Sequence, residues 1–95
     1  MNIKKLSQEV SGDVRSTVIE ATVDLSDDGL SPEIMGLMIY IDNPSDPYLV
    51  VENSGKYDAK VSVGDRYFVI ANSGRMHTID LGFPVTVTFE VLEDA

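Results

Sequence analysis

The chain has 95 residues and a mass of 10.4 kDa, room for one domain and not two, because domains run ~50–250 residues. It contains no cysteine, which excludes disulfides, thiolate nucleophiles, zinc knuckles and iron–sulfur clusters together. The expected location is a reducing one, the cytoplasm, or the host cytoplasm or virion for a viral product. With 16 acidic against 7 basic residues and a net charge of -9, direct nucleic-acid binding is not expected, since that affinity comes from counterion release by Lys and Arg.

Met1 to Val10 carries Lys4 and Lys5 but lacks the apolar run of ~7–15 residues that a secretion signal needs. No stretch approaches the ~20 apolar residues of a membrane span. Residues 1–13 are therefore expected as an uncleaved amino-terminal arm, flexible or packed on a sheet, with Ile3, Leu6 and Val10 as its apolar stripe. From Val14 to Leu25, Ile19, Ala21, Val23 and Leu25 alternate with Glu20, Thr22 and Asp24, the period of a half-buried strand. Ser26 to Glu33 breaks that pattern, and Ser31-Pro32-Glu33 suits the start of one short helical turn near Ser31–Ile34, the only helix expected.

Ile34 to Ile41 is an apolar run that ends at Asp42-Asn43-Pro44-Ser45-Asp46-Pro47, where prolines and aspartates cannot continue a ladder. Four runs follow: Tyr48–Glu52, Tyr57–Val63, Tyr67–Ala71 and Met76–Leu81. Their separators, Asn53-Ser54-Gly55, Gly64-Asp65-Arg66 and Asn72-Ser73-Gly74, each predict a hairpin, because Gly and Asn accept positive φ. After Pro84, Val85, Val87, Phe89 and Val91 share one face of a last strand. The fold expected is all-β, a small antiparallel β-sandwich or partly open barrel of six to seven short strands in a single domain, 1–95.

Tyr48 to Lys56 lines up with Tyr67 to Arg75 nineteen positions later. The strands after the turns disagree in phase: Tyr57, Ala59, Val61 and Val63 are odd in number and so are Ile79, Leu81 and Phe83, although an offset of nineteen should swap the parity. The echo is then two hairpins converging on the same turn chemistry and no repeat.

Two patterns point to binding. No Lys or Arg occurs from Ser16 to Gly55, so the carboxylates Asp24, Asp27, Asp28, Asp42 and Asp46 are the candidate docking residues for a basic protein partner. The middle strands are also apolar on both faces. If Leu37, Ile39, Ile41, Leu49, Val51, Phe68 and Ile70 fill the core, then Met38, Tyr40, Tyr48, Val50, Tyr67 and Val69 point away from it and need cover. A second polypeptide supplies that cover in this reading, with self-association through Met38, Tyr40, Val50, Tyr67 and Val69, since Tyr and Met are enriched in interface cores. The function expected is that of a non-enzymatic interaction module, a homo-oligomer without cofactor or membrane attachment. It has the style of a viral or mobile-element product, either an assembly component or an inhibitor of a host nucleic-acid-binding protein.

Ser45-Asp46-Pro47-Tyr48, placed after Leu37–Ile41 and before Leu49-Val50-Val51, resembles the hallmark stretch of the C2 domain family, in which such a motif opens a strand and loop aspartates bind calcium. The resemblance implies an alternative reading as a calcium-binding module with Asp42 and Asp46 as ligands, in keeping with the oxygen ligands that this hard cation takes. A carboxylate-based hydrolase is a further alternative, needing two carboxyls ~5–9.5 Å apart across a cleft. No other catalytic pattern is present. His77 is the sole histidine and reads as a surface strand residue, and there is no nucleophile elbow, His-based metal grouping or glycine-rich nucleotide loop. No catalytic residue and no metal ligand is assigned in the leading reading.

Overall fold

The computed structural model describes residues 1–25, 34–42, 45, 47–78 and 82–95. They form eight strands: β1 (Asn2–Ser11), β2 (Val14–Val23), β3 (Leu37–Asp42), β4 (Tyr48–Asn53), β5 (Ala59–Val63), β6 (Arg66–Ile70), β7 (Arg75–Thr78) and β8 (Val85–Asp94). Two antiparallel sheets result, one of five strands in the order β1-β2-β8-β5-β6 and one of three in the order β3-β4-β7. The protein is a β-sandwich, since its two sheets stay separate, and it has one strand more than the sequence leads one to expect.

Alternation builds the core. In β2, Thr17, Ile19, Ala21 and Val23 are buried, and in β8 Val85, Val87, Phe89 and Val91 are buried. The two strands pair from Val14 opposite Asp94 to Val23 opposite Val85, so both apolar rows lie on the same face. Leu37 and Ile39 of β3, Leu49 and Val51 of β4, Ala59, Val61 and Val63 of β5, and Ile70 of β6 complete one buried cluster. Phe89 is its largest fully buried side chain, of the kind whose truncation to Ala costs about 3–5 kcal/mol.

Two of the three expected hairpins are something else. Gly64-Asp65 does turn β5 into β6, and Gly64 takes the positive φ of such a turn, 60°. Asn53-Ser54-Gly55, however, leads from β4 in the small sheet to β5 in the large one, and Asn72-Ser73-Gly74 leads from β6 back to β7 in the small sheet. Because β5 pairs with β6 and β4 with β7, β4 to β7 is one long hairpin whose two arms both bend at Asn-Ser-Gly. The bends meet: the Asn53 backbone amide donates to the Gly74 carbonyl at 2.8 Å. The internal echo thus falls on the two bends of one hairpin, which are built differently: Asn53 is buried and Asn72 exposed, and Ser73 takes a positive φ of 61°. The phase objection to it falls away, since β7 ends at Thr78, Met76 packs toward the core, and Ile79 and Leu81 lie outside the described residues.

Asn53 holds this corner. Its side chain is 3% exposed, and its Nδ2 donates to the carbonyls of Tyr57, Ile70 and Ala71 at 2.9, 3.1 and 3.4 Å, while its Oδ1 accepts from the Gly55 amide at 2.9 Å. Carbonyls freed where the arms leave one sheet for the other are satisfied by a single carboxamide, which meets the demand that buried polar groups be paired.

Two further expectations change, and a third falls mostly outside the described residues. The amino-terminal arm is a strand, not a stripe laid over a sheet: β1 pairs with β2 along its whole length, with a bulge between Lys5 and Ser7. The apolar run that begins at Ile34 becomes a strand from Leu37, because Met35 and Gly36 take φ of 51° and 81°, outside the extended region. A Cβ at Gly36 would also stand 3.0 Å from the Gly55 backbone, so glycine is required there on two counts. Of the expected helical turn, Ser31 to Glu33 lie outside the described residues, while Ile34 makes an isolated bridge to Leu37.

Candidate interaction surface

The outer face of the three-stranded sheet displays, by register, Met38, Tyr40 and Asp42 from β3, Tyr48, Val50 and Glu52 from β4, and Arg75 and His77 from β7. Tyr40 stands opposite Val50, which stands opposite His77, and Met38, Glu52 and Arg75 make the neighbouring row. The face is braced from within. Glu52 Oε1 accepts from the Tyr40 hydroxyl at 3.0 Å and from Arg75 Nη1 at 3.5 Å. The Tyr48 hydroxyl donates to Asp42 Oδ2 at 3.2 Å, and the Tyr48 ring meets His77 edge to face, 5.7 Å between centroids.

This bracing shifts the phenols. Burial first, and then the Glu52 carboxylate, pushes the Tyr40 phenol above its ordinary value. For Tyr48 the charge of Asp42 comes first, with burial and their hydrogen bond adding to it. Both stay neutral and available as donors at physiological pH.

The five residues expected to form one self-association face occupy two. Met38, Tyr40 and Val50 belong to the small sheet, whereas Tyr67 and Val69 point outward from β6, an edge strand of the large sheet. Val50 also needs no foreign cover: it is 0% exposed within the single chain. Tyr40 and His77 stand on either side of it on the neighbouring strands. Met38 and Tyr40 are half-buried. By contrast Tyr67 is 60% and Val69 57% exposed.

Of the acidic set, Asp24 follows β2 and Asp42 closes β3, both exposed, while Asp27, Asp28 and Asp46 lie outside the described residues. The implied calcium pair Asp42 and Asp46 therefore has one described member, and no group of three or more His, Asp or Glu side chains able to hold a metal occurs among the described residues. His77 is exposed on β7, as its place in an alternating strand suggested. Among the described residues no helix is long and apolar enough to cross a membrane.

A second polar cluster lies where β8 ends. Asp94 accepts from Lys56 Nζ at 3.0 Å and from the Tyr57 hydroxyl, beside a shallow cleft floored by Met35 and Leu92. Those donors, Tyr57 first and Lys56 second, hold the Asp94 carboxyl below its usual value, and Asp94 in turn raises Lys56 and Tyr57.

The sequence does not single out Glu52, Arg75 and His77 as members of a binding face. Their signal is a cross-strand one, visible only once the pairing of β4 with β7 is known. Comparison with protein families, with curated proteins and with solved structures finds no match for this chain.

Proposed function

We propose that the protein is a non-enzymatic interaction module that binds a basic protein partner through the outer face of the three-stranded sheet and associates with itself. The observation that carries the reading is the display of Tyr40, Tyr48, His77 and Arg75 around a buried Val50, held in place by Glu52 and Asp42. Tyr and Arg are the side chains that dominate binding energetics, and fixing their rotamers in advance lowers the entropy lost on association. The net charge of -9 favours a partner rich in Lys and Arg, a class that includes nucleic-acid-binding proteins, and speeds encounter with it at low salt. Self-association draws on the apolar side chains that remain exposed on the edge strands of the large sheet.

Amide NMR titration with a Lys/Arg-rich peptide tests the partner face. Shifts should cluster on β3, β4 and β7, weaken as salt is added, and be lost in Tyr40→Ala and His77→Ala. Shifts scattered over every carboxylate, or confined to the large sheet, overturn the assignment. A wild type that is monomeric by light scattering at ~100 μM, above typical micromolar dissociation constants, removes the self-association.

A further inference from the structure

We infer that β1 is the docking edge for a second copy of this chain, the two β1 strands pairing antiparallel about a two-fold axis to join their five-stranded sheets into one. The inference rests on the self-association part of the proposed function and names its surface.

Among the described residues β1 is the outermost strand of its sheet, and β2 is its hydrogen-bonded neighbour. Its ten residues make it longer than β6, β3 or β7, which have five, six and four and form the other sheet edges. All but Ile3 are exposed, including Leu6 at 46% and Val10 at 61%. Such an edge is a template for strand addition unless something blunts it. Lysines and bulges are common blunting devices, and β1 carries Lys4, Lys5 and a bulge. Here these features fit a second β1.

Antiparallel overlap of the whole strand pairs each residue with the one whose number completes a sum of thirteen, since the strand runs from Asn2 to Ser11. Lys4 then faces Glu9 of the second copy, and Ile3 faces Val10, each pair occurring twice by symmetry. In an uninterrupted strand an odd sum would set residues of opposite faces against each other. The bulge removes that conflict. Lys4 opposes Glu20 and Glu9 opposes Ser16 on β2, while Ile3 opposes Ala21 and Val10 opposes Arg15. Lys4 and Glu9 consequently share the outer face, and Ile3 and Val10 share the inner one. Side-chain face and hydrogen-bond direction alternate together along a strand, so matched faces also bring the free amides and carbonyls of the two edges together. The extra residue of each bulge, Leu6, falls at the axis, where two equal bulges keep the strands the same length.

Charge and apolar residues thus both become complementary in one register. Cross-strand pairs of each type are stabilising, and like charges directly opposite are not. A strand with lysine in the place of Glu9 would be rejected, which gives the edge selectivity as well as affinity. The contact is isologous and uses up the edge, so it closes at the dimer and does not propagate.

The test is charge exchange followed by light scattering at ~100 μM, above typical micromolar dissociation constants. Lys4→Glu and Glu9→Lys each set like charges opposite one another twice and should weaken the dimer about tenfold or more. Mixed in equal amounts, the two variants should recover a dimer. The glutamate introduced at position 4 of one chain then meets the lysine introduced at position 9 of the other, and the unaltered Glu9 of the first meets the unaltered Lys4 of the second. The double variant should recover it alone. Single variants that dimerise like wild type, or a mixture no tighter than its components, overturn the β1 edge. If Tyr67→Glu dissociates the protein in that case, self-association survives on another surface. A wild type monomeric throughout ends both. Hydrogen exchange supplies a readout that needs no variant: protection of the β1 amides not bonded to β2 should rise with protein concentration, and exchange independent of concentration overturns the pairing.

Discussion

Asn53 shows how one residue can carry a corner of the fold. Truncation to Ala leaves the carbonyls of Tyr57 and Ile70 and the amide of Gly55 without their partner at a position that is 3% exposed. A buried group left unsatisfied costs about 1–3 kcal/mol, and water reaching the outer part of the corner offsets some of that. Asn53→Ala should therefore lower the unfolding free energy by about 2–4 kcal/mol in urea titration. Asn53→Asp should cost at least as much, because a carboxylate has no proton to give the carbonyls and adds a charge beside them. A loss below about 0.5 kcal/mol for both variants, the scale of ordinary surface changes, would mean that the corner is held by its backbone bond to Gly74 alone. Asp94 makes a prediction with a definite sign. Its folded-state pKa lies below 3.8, through the donors Tyr57 and Lys56, so its contribution is present in full above that value and lost as pH falls through the lower folded value. The melting-temperature gap between wild type and Asp94→Asn should be constant from neutrality down to about pH 5 and close progressively below about pH 4. A gap unchanged to pH 2 would show that the ionised carboxylate contributes nothing.

At the level of elements, legibility follows burial. β2 and β8 can be read because each buries one face and wets the other, so Ile19, Ala21 and Val23, and Val85, Val87 and Phe89, recur at a period of two. β1 cannot, because an edge strand exposed on both faces has no reason to alternate; Lys5 and Gln8 stand on the side where Ile3 meets the core. The bends at Asn53 and Asn72 look like hairpins in the sequence since the same residues serve both. Asn and Gly favour a two-residue turn, while at the first crossing Asn53 serves through its side-chain hydrogen bonds, and local sequence does not say whether the chain returns to its own sheet. The expected apolar face fails for a related reason. Periodicity tells which side of the sheet Val50 occupies but not that Tyr40 and His77 lie beside it, since that depends on which strands pair and in what register.

At the scale of the whole molecule, composition alone makes the protein anionic, and the structure adds ion pairs that offset part of that charge. Surface pairs among the described residues include Lys56 with Asp94, Lys60 with Glu90 and Arg75 with Glu52, at 3.0, 3.7 and 3.5 Å. Exposed pairs contribute about 0–1 kcal/mol each and weaken with salt, whereas an excess of nine negative charges on one small domain opposes the compact state through self-repulsion. The two effects of salt therefore have opposite signs. With 16 acids to 7 bases, carboxylates outnumber the side-chain cations that could pair with them, and relief of repulsion should win. Raising NaCl from ~10 to ~300 mM, which shortens the screening length from roughly 30 Å to below 8 Å, should raise the melting temperature by about 4–8 °C if the relief is about 1 kcal/mol. The measurement belongs at low micromolar protein, where the proposed β1 dimer would not add its own salt dependence of the opposite sign. A melting temperature that falls with salt under those conditions would mean that the ion pairs outweigh the excess charge. The acidic surface would then act as a set of internal fastenings, and its availability to a basic partner would have to be argued afresh.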